Sequence, residues 1–173
     1  MFLNKIKLFL VISICLIFFF LTYNDVKSQE PKIIFGKAKV IDGDTIKIDK
    51  NKIRLYGIDA PEKKQQCKKM WLSISFLTFN KNYQCGKISS NKLKVKINNK
   101  FIMCKSSNKD RYNRFIAECY KDKININKWM VSNGYAVAYK KYSKKFVAQE
   151  NIAKKEKLGL WAGTFEMPWE WRK

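Results

Sequence analysis

The chain has 173 residues, and 36 Lys and Arg against 14 Asp and Glu give it a formal net charge of +22. Its hydrophobic fraction of 46% is large enough for a buried core, which excludes a wholly disordered basic tail. The sequence contains no histidine, which excludes Ser-His-Asp triads and histidine-ligated zinc sites. The charge indicates a polyanionic partner, either nucleic acid or an anionic membrane surface.

The first 28 residues are predicted to be a signal peptide. Lys5 and Lys7 precede an uncharged apolar run at residues 8–22, and Val26-Lys27-Ser28 offers a cleavage site. The run is shorter than the ~20 apolar residues of a spanning helix. An uncleaved N-terminal membrane anchor is the alternative. We therefore expect a secreted or periplasmic protein whose single domain comprises residues 29–173.

The next part of the chain is predicted to form three strands and then a helix. The strands are expected at residues 32–41, 45–48 and 53–58, because β-forming runs are separated there by turn signals such as Asp42-Gly43. The helix is expected over residues 62–79, where four apolar residues recur at helical spacing. These residues are Met70, Trp71, Ile74 and Leu77.

Further strands and two helices are predicted after residue 90. Leu93, Val95 and Ile97 alternate with lysines and predict a strand, and two more strands are expected at residues 101–104 and 115–120. Asn127 is expected to cap a short helix that ends near residue 133, and Ser143 to cap a helix that reaches Leu158. The pattern favours an α+β fold with a small closed barrel.

Four cysteines follow the predicted signal peptide, an even number that suits disulfides in an oxidising compartment. Cys104 and Cys119 flank a turn-rich segment and are expected to bridge a β-hairpin. Cys67–Cys85 then follows by elimination. A zinc site is disfavoured because the sequence has no Cys-x-x-Cys and no histidine.

Three short segments concentrate charged residues: residues 41–45, 54–62 and 110–114. Asp42 and Asp44 at a hairpin corner would meet Asp59 if the strands pair, and carboxylates without nitrogen or sulfur ligands suit Ca²⁺ or Mg²⁺. Each segment taken alone also has an ordinary explanation as a turn, a solvated strand or a basic surface.

Two further charged residues would suit phosphodiester chemistry at such a cation. Glu62 follows Asp59 by three residues and could orient or deprotonate a water molecule. Arg54 could hold a phosphate oxygen and stabilise the negative charge that develops on it. In a regular strand Arg54 and Asp59 would face opposite sides, so their convergence depends on a bend at Gly57.

The chain resembles the staphylococcal nuclease (thermonuclease) family in these three segments and in the later strings Gly134–Tyr139 and Ala153–Trp161. The motifs follow the family's order over about residues 33–161. The resemblance implies an OB-type five-stranded barrel with about three packed helices. It also implies a monomeric, Ca²⁺-dependent endonuclease that hydrolyses DNA or RNA, or both, to 3′-phosphate products.

The resemblance assigns roles by position. The catalytic set is Arg54, Glu62 and Arg114. The metal ligands are Asp44, Asp59 and the backbone carbonyl of Ala60, with Asp42 close to the metal. The substrate-binding set is Arg111, Tyr112, Tyr139 and Tyr142.

The family match leaves some residues and two rival functions open. The aromatic tail at residues 165–172 departs from the best-known member and is expected to dock on the core. One rival is a catalytically silent nucleic-acid-binding module of the cell envelope. The other is a protein whose charge binds anionic lipid. No protein partner is implied.

Overall fold

The computed structural model describes residues 10–15, 30–75 and 77–173. The chain divides into two compact units, Met1–Glu30 and Pro31–Lys173. In the first unit, helix α1 comprises residues 10–15. The predicted cleavage site at residues 26–28 lies outside the described residues. Within the described ranges, no helix has the length and apolar character needed to cross a membrane.

A closed barrel of five strands forms the centre of the second unit. The strands are β1 (Lys32–Val40), β2 (Thr45–Ile48), β3 (Asn51–Leu55), β7 (Phe101–Lys109) and β8 (Phe115–Lys121). Antiparallel pairing runs in the order β3-β2-β1-β7-β8, and a parallel pairing of β3 with β8 closes the ring. The predicted α+β fold with an OB-type barrel is therefore confirmed.

The other elements lie outside this ring. The short strands and the hairpin are β4 (Ile58–Asp59), β5 (Cys67–Ile74), β6 (Leu77–Tyr83), β9 (Ile124–Asn125), β10 (Val137–Ala138) and β11 (Gly163–Thr164). The helices are α2 (Cys85–Ile97), α3 (Ile126–Ser132), α4 (Val147–Lys155), a 3₁₀ turn (Gly159–Ala162) and α5 (Pro168–Trp171).

Alternating apolar residues of the strands fill the barrel. Ile46 and Ile48 of β2 face the core together with Ile53 of β3, and all three are fully buried. Leu93 and Ile97 of α2 belong to the same cluster, so the helix packs against the barrel. A second, smaller cluster contains Cys67, Cys85, Val137 and Leu160.

The helix predicted at residues 62–79 is wrong, because this region forms the β5–β6 hairpin. Leu72 pairs with Phe79, and Ile74 pairs with Leu77. The three-residue spacing of Trp71, Ile74 and Leu77 suggested one helical face, but the hairpin brings Ile74 and Leu77 together as partners on two strands. The hairpin leaves them exposed, so burial did not select the period.

The strand predicted at residues 93–97 is also wrong, because these residues end helix α2. Leu93 and Ile97 are buried while Val95 is 74% exposed, so the operative spacing is four residues and not two. The capping residue of α3 is Asn125, whose side chain accepts a hydrogen bond from the Lys128 amide. Helix α4 begins at Val147 and not at Ser143.

Both predicted disulfides are present. Cys104 and Cys119 lie opposite each other on β7 and β8, and Cys67–Cys85 ties the start of β5 to the start of α2. Cys15 in α1 is a free, exposed cysteine. Two bridges indicate an oxidising environment for the folded unit.

Candidate active site

The turn between β1 and β2 holds Asp44 in a fixed position. The amides of Ile41 and Asp42 both donate to the Thr45 carbonyl, and the Asp44 amide donates to Asp42 Oδ1 at 3.1 Å. A Cβ on Gly43 would lie 2.2 Å from the Ser89 hydroxyl, so only glycine lets this turn pack against α2.

A bend at Gly57 brings Asp59 within hydrogen-bonding distance of Arg54. Strand β3 ends at Leu55, Gly57 adopts φ of +72°, and the chain resumes as β4 at Ile58. Strand β10 then pairs with β4 and places Val137 opposite Asp59. The sequence analysis required a bend at Gly57 for Arg54 and Asp59 to converge. The structure has this bend, because the strand is interrupted between the two residues.

The Arg54 guanidinium lies between two buried carboxylates. Its Nη1 donates to Asp44 Oδ1, and its Nη2 donates to Asp59 Oδ1 at 2.5 Å. Asp44 is 2% exposed and Asp59 is fully buried. Burial disfavours the charged form of Arg54, but the adjacent Asp44 and Asp59 charges raise its pKa above the ordinary value. We call Asp44, Arg54 and Asp59 the barrel cluster.

A third acidic residue, Asp42, adjoins the barrel cluster. Burial, followed by the negative charge of Asp44, raises the pKa of Asp42 to about 7. The Ala60 amide donates to Asp44 Oδ2 at 2.8 Å, so Ala60 also lies against this carboxylate. In the described part of the chain, no three Asp, Glu, His or Cys side chains form a ready metal-binding group.

Arg114 reaches the barrel cluster from the loop between β7 and β8. Its Nη1 is 3.4 Å from the Thr45 hydroxyl, which itself donates to Asp44 Oδ1 at 3.1 Å. Its Nε donates to Asp110 Oδ2 at 2.7 Å. Asp110 also accepts from the Tyr112 and Arg114 amides, so one carboxylate holds both the loop and the Arg114 head.

Arg111 and Tyr112 lie at the outer edge of the same loop. Arg111 Nη2 donates to the Tyr112 hydroxyl at 2.7 Å, and its guanidinium is 4.8 Å from the Tyr112 ring centroid. The Arg114 guanidinium is 5.5 Å from the same centroid. The exposed Tyr112 ring therefore has two cations within cation–π distance and faces solvent.

Tyr139 and Tyr142 border the site on the side of β10. Their rings meet edge to face with centroids 4.8 Å apart. Trp169 stacks on Tyr139 at 5.5 Å with an interplanar angle of 9°. The tail therefore covers one face of the half-buried Tyr139 and leaves Tyr142 exposed.

Glu62 adjoins the barrel cluster through Arg172, a residue that the sequence did not single out. Arg172 Nη1 donates to Glu62 Oε1 at 2.8 Å, and Nη2 donates to Asp59 Oδ2 at 2.7 Å. The sequence also missed Gln65, whose side chain accepts from the Glu62 amide at 3.2 Å and donates to the Glu166 carbonyl at 2.7 Å. The sequence feature that could have drawn attention to both residues is the tail at residues 165–172, which departs from the best-known member of the family.

Residues 52–163 match the family model described as staphylococcal nuclease homologue. An uncharacterized endonuclease of Escherichia coli O157:H7 is 34% identical over 148 residues, which cover 80% of this chain and 85% of the relative. The succinoglycan biosynthesis protein ExoI of Rhizobium meliloti (strain 1021) is 33% identical over 141 residues, covering 80% of this chain and 69% of the relative.

A third match comes from a plant protein. The probable staphylococcal-like nuclease CAN4 of Oryza sativa subsp. japonica is 32% identical over 147 residues. The match covers 83% of this chain but 25% of the plant protein, so the shared part is one segment of a much longer chain.

Proposed function

Since the chain belongs to the staphylococcal nuclease homologue family, we propose that it is an exported nuclease that hydrolyses phosphodiester bonds of DNA or RNA with bound Ca²⁺. The observation that carries the proposal is the convergence of two guanidinium groups on one pair of carboxylates. Arg54 lies directly between Asp44 and Asp59, and Arg114 lies one hydroxyl away through Thr45. A protein that only binds nucleic acid does not need this arrangement.

The residues present fit a hard divalent cation. The donors would be carboxylate oxygens of Asp44 and Asp59 and the backbone carbonyl of Ala60, and oxygen ligands are what Ca²⁺ prefers. Asp42 and Glu62 add two more carboxylates, whereas Arg54 and Arg172 supply two guanidinium groups. This excess of negative charge acts in the same direction as burial, which is the main cause of the raised pKa of Asp42. When bound, the cation would polarise a phosphate oxygen and provide countercharge.

The two arginines would hold and neutralise the scissile phosphate. A planar guanidinium can give two parallel N–H donors to phosphate oxygens, and a partly buried position strengthens these interactions. Arg54 is already oriented by its two carboxylate partners. Arg114 is oriented by Asp110 and lies beside Thr45, so it would add a second guanidinium group to the same phosphate.

Glu62 is the candidate for the proton chemistry. Its carboxylate is partly exposed, and a water molecule can therefore reach it. It would accept a hydrogen bond from the attacking water and orient that water towards phosphorus. The water would give a proton to Glu62 as its oxygen bonds to phosphorus, and the bond from phosphorus to the 5′ oxygen would break. The 5′ oxygen would take up a proton from solvent, which leaves a 3′-phosphate product, as the family resemblance implies.

Nucleic acid would approach over a rim of exposed cationic and aromatic residues. We define the rim group as Arg111, Tyr112 and Tyr142. With a net charge of +22, most of the affinity would come from the phosphate backbone, so binding should weaken steeply with salt and show little sequence preference.

Cleavage of plasmid DNA tests the proposal. The wild-type protein should nick plasmid with Ca²⁺ and stop with chelator, whereas Glu62→Gln should cut at least ~10²-fold more slowly. Glu156→Gln is the matched control, because it removes the same charge from an exposed position at the end of α4. DNA binding without chelator-sensitive nicking would favour the silent module, and nicking by Glu62→Gln at the wild-type rate would remove the role of Glu62.

A further inference from the structure

Arg172, in the C-terminal tail, bridges two of the acidic residues that the proposed reaction needs. One guanidinium nitrogen donates to Asp59 Oδ2 and the other to Glu62 Oε1, at 2.7 and 2.8 Å. The carboxylates belong to positions 113 and 110 residues earlier in the chain. A fork of two N–H donors from one rigid plane fixes the separation of the oxygens that accept them.

The segment that carries Arg172 is docked on the fold. Pro168 is buried, and Trp169 stacks on Tyr139 with ring centroids 5.5 Å apart. The Glu166 carbonyl accepts from the buried Gln65 side chain, which also receives the Glu62 amide. The Arg172 guanidinium is therefore placed by a packed segment. This segment also contacts the Glu62 loop, residues 60–66, through Glu166.

Glu62 depends on this contact for its orientation. Among the residues that the structure describes, the hydrogen bond to the Glu62 carboxylate comes from Arg172. With Arg172 in place the Glu62 side chain is still 35% exposed, and it has three rotatable bonds. A freely rotating carboxylate would spend much of its time pointing into solvent, and misplacing a reacting group by about 1 Å can cost ~10²-fold in rate.

We propose that Arg172 is a positioning residue, which holds the Glu62 carboxylate at a fixed place beside Asp59 so that a water molecule bound to Glu62 faces the scissile phosphate. The inference rests on the nuclease function proposed above and adds the tail to its active site. Lysine cannot reproduce the bridge, because one ammonium group is a point charge and not a planar fork.

The bridge has a second consequence, which concerns the cation. A guanidinium that donates to Asp59 places positive charge beside a carboxylate expected to bind Ca²⁺, and like charges repel. Removal of Arg172 should therefore tighten cation binding while it slows turnover. This opposite movement separates positioning from a purely structural role, which would weaken both.

Three variants test the inference, with hydrolysis of a fluorescent single-stranded DNA oligonucleotide and calorimetric Ca²⁺ titration as readouts. Arg172→Gln should lower kcat at least ~10-fold with KM within about twofold, and should raise Ca²⁺ affinity about three- to tenfold. Arg172→Lys should recover only part of the lost kcat. Lys173→Gln, which removes the neighbouring exposed charge paired with Glu170, should change neither quantity.

Four results would overturn the positioning role. An unchanged or raised kcat in Arg172→Gln would show that the bridge does nothing or blocks the site. A higher KM alone would make Arg172 a substrate contact. A fall of thermal stability, Ca²⁺ affinity and kcat together would make it structural. Equal Ca²⁺ affinities of the wild type and Arg172→Gln would also overturn it. Absence of cleavage by the wild-type protein would instead refute the proposed nuclease function, and the Ca²⁺ titration would then still test the role of Arg172.

Discussion

The barrel cluster and the rim group differ in how the fold holds them. Asp44 and Asp59 are almost completely buried, and their positions follow from backbone hydrogen bonds of the β1–β2 turn and the β4–β10 pair. Tyr112 and Tyr142 are 64% and 66% exposed. Buried charges without partners are costly, so the cluster must be complete for the protein to be stable, whereas the rim can change without such a cost.

Removing the Arg54 guanidinium from the barrel cluster should have the largest effect. Arg54→Gln leaves Asp44 and Asp59 without their shared partner, so the free energy of unfolding should fall by about 3 kcal/mol. Activity should fall ~10³-fold because a phosphate-binding group is lost as well. Urea denaturation and initial cleavage rates measure the two effects.

The exposed Lys52 on the same strand provides the control for Arg54. Lys52→Gln should leave stability within about 0.5 kcal/mol of wild type. Ca²⁺ should restore part of the stability lost by Arg54→Gln, since a bound cation also neutralises the two carboxylates. If Arg54→Gln were as stable as the wild type without Ca²⁺, the barrel cluster would tolerate change as well as the rim group does, and the comparison would fail.

Arg114 should separate activity from stability. Its ion pair with Asp110 is partly exposed and lies within one loop, so Arg114→Gln should change the free energy of unfolding by less than about 1 kcal/mol. Activity should nevertheless fall ~10²-fold through loss of charge stabilisation. Lys109→Gln, at the end of β7 next to this loop, should retain both properties. A large loss of stability in Arg114→Gln would place Arg114 with the barrel cluster.

The barrel cluster was also the part of the site that the sequence predicted best. Asp44, Arg54 and Asp59 are at most 15 positions apart in the sequence, so hairpin pairing and the Gly57 bend were enough to bring them together. Arg172 could not be inferred in this way, because no local spacing rule connects residues more than 100 positions apart. Its placement depends on how the tail packs on Gln65 and Tyr139.

The helix wrongly predicted at residues 62–79 and the strand wrongly predicted at residues 93–97 have the same origin. Apolar spacing predicts an element only when burial selects it, and the β5–β6 hairpin exposes Met70 and Trp71 together with its paired apolar residues. Its geometry comes instead from the Cys67–Cys85 bridge and from pairing of β11 with β5. These are long-range constraints that a window of neighbouring residues does not contain.

Gln65 should show an intermediate effect, because it joins the Glu62 loop to the tail. Gln65→Ala would leave the Glu62 amide and the Glu166 carbonyl without their partner, which should cost about 1–3 kcal/mol of stability. We expect cleavage to fall about three- to tenfold as the Glu62 loop loosens. The neighbouring Gln66 is exposed, so Gln66→Ala is the control. Equal stabilities of the two variants would show that the tail is held without Gln65.

Tyr142 should show the smallest effect and one confined to binding. Its ring is exposed and contacts Tyr139 edge to face, so Tyr142→Ala should leave stability unchanged and raise KM about two- to fivefold through loss of base stacking. Tyr142→Phe keeps the ring and should behave as wild type, which separates stacking from hydroxyl chemistry. KM measured on short single strands tests this directly, because stacking requires unpaired bases. A fall in kcat for Tyr142→Ala would mean that the rim group takes part in aligning the phosphate, and the contrast between the two halves of the site would then fail.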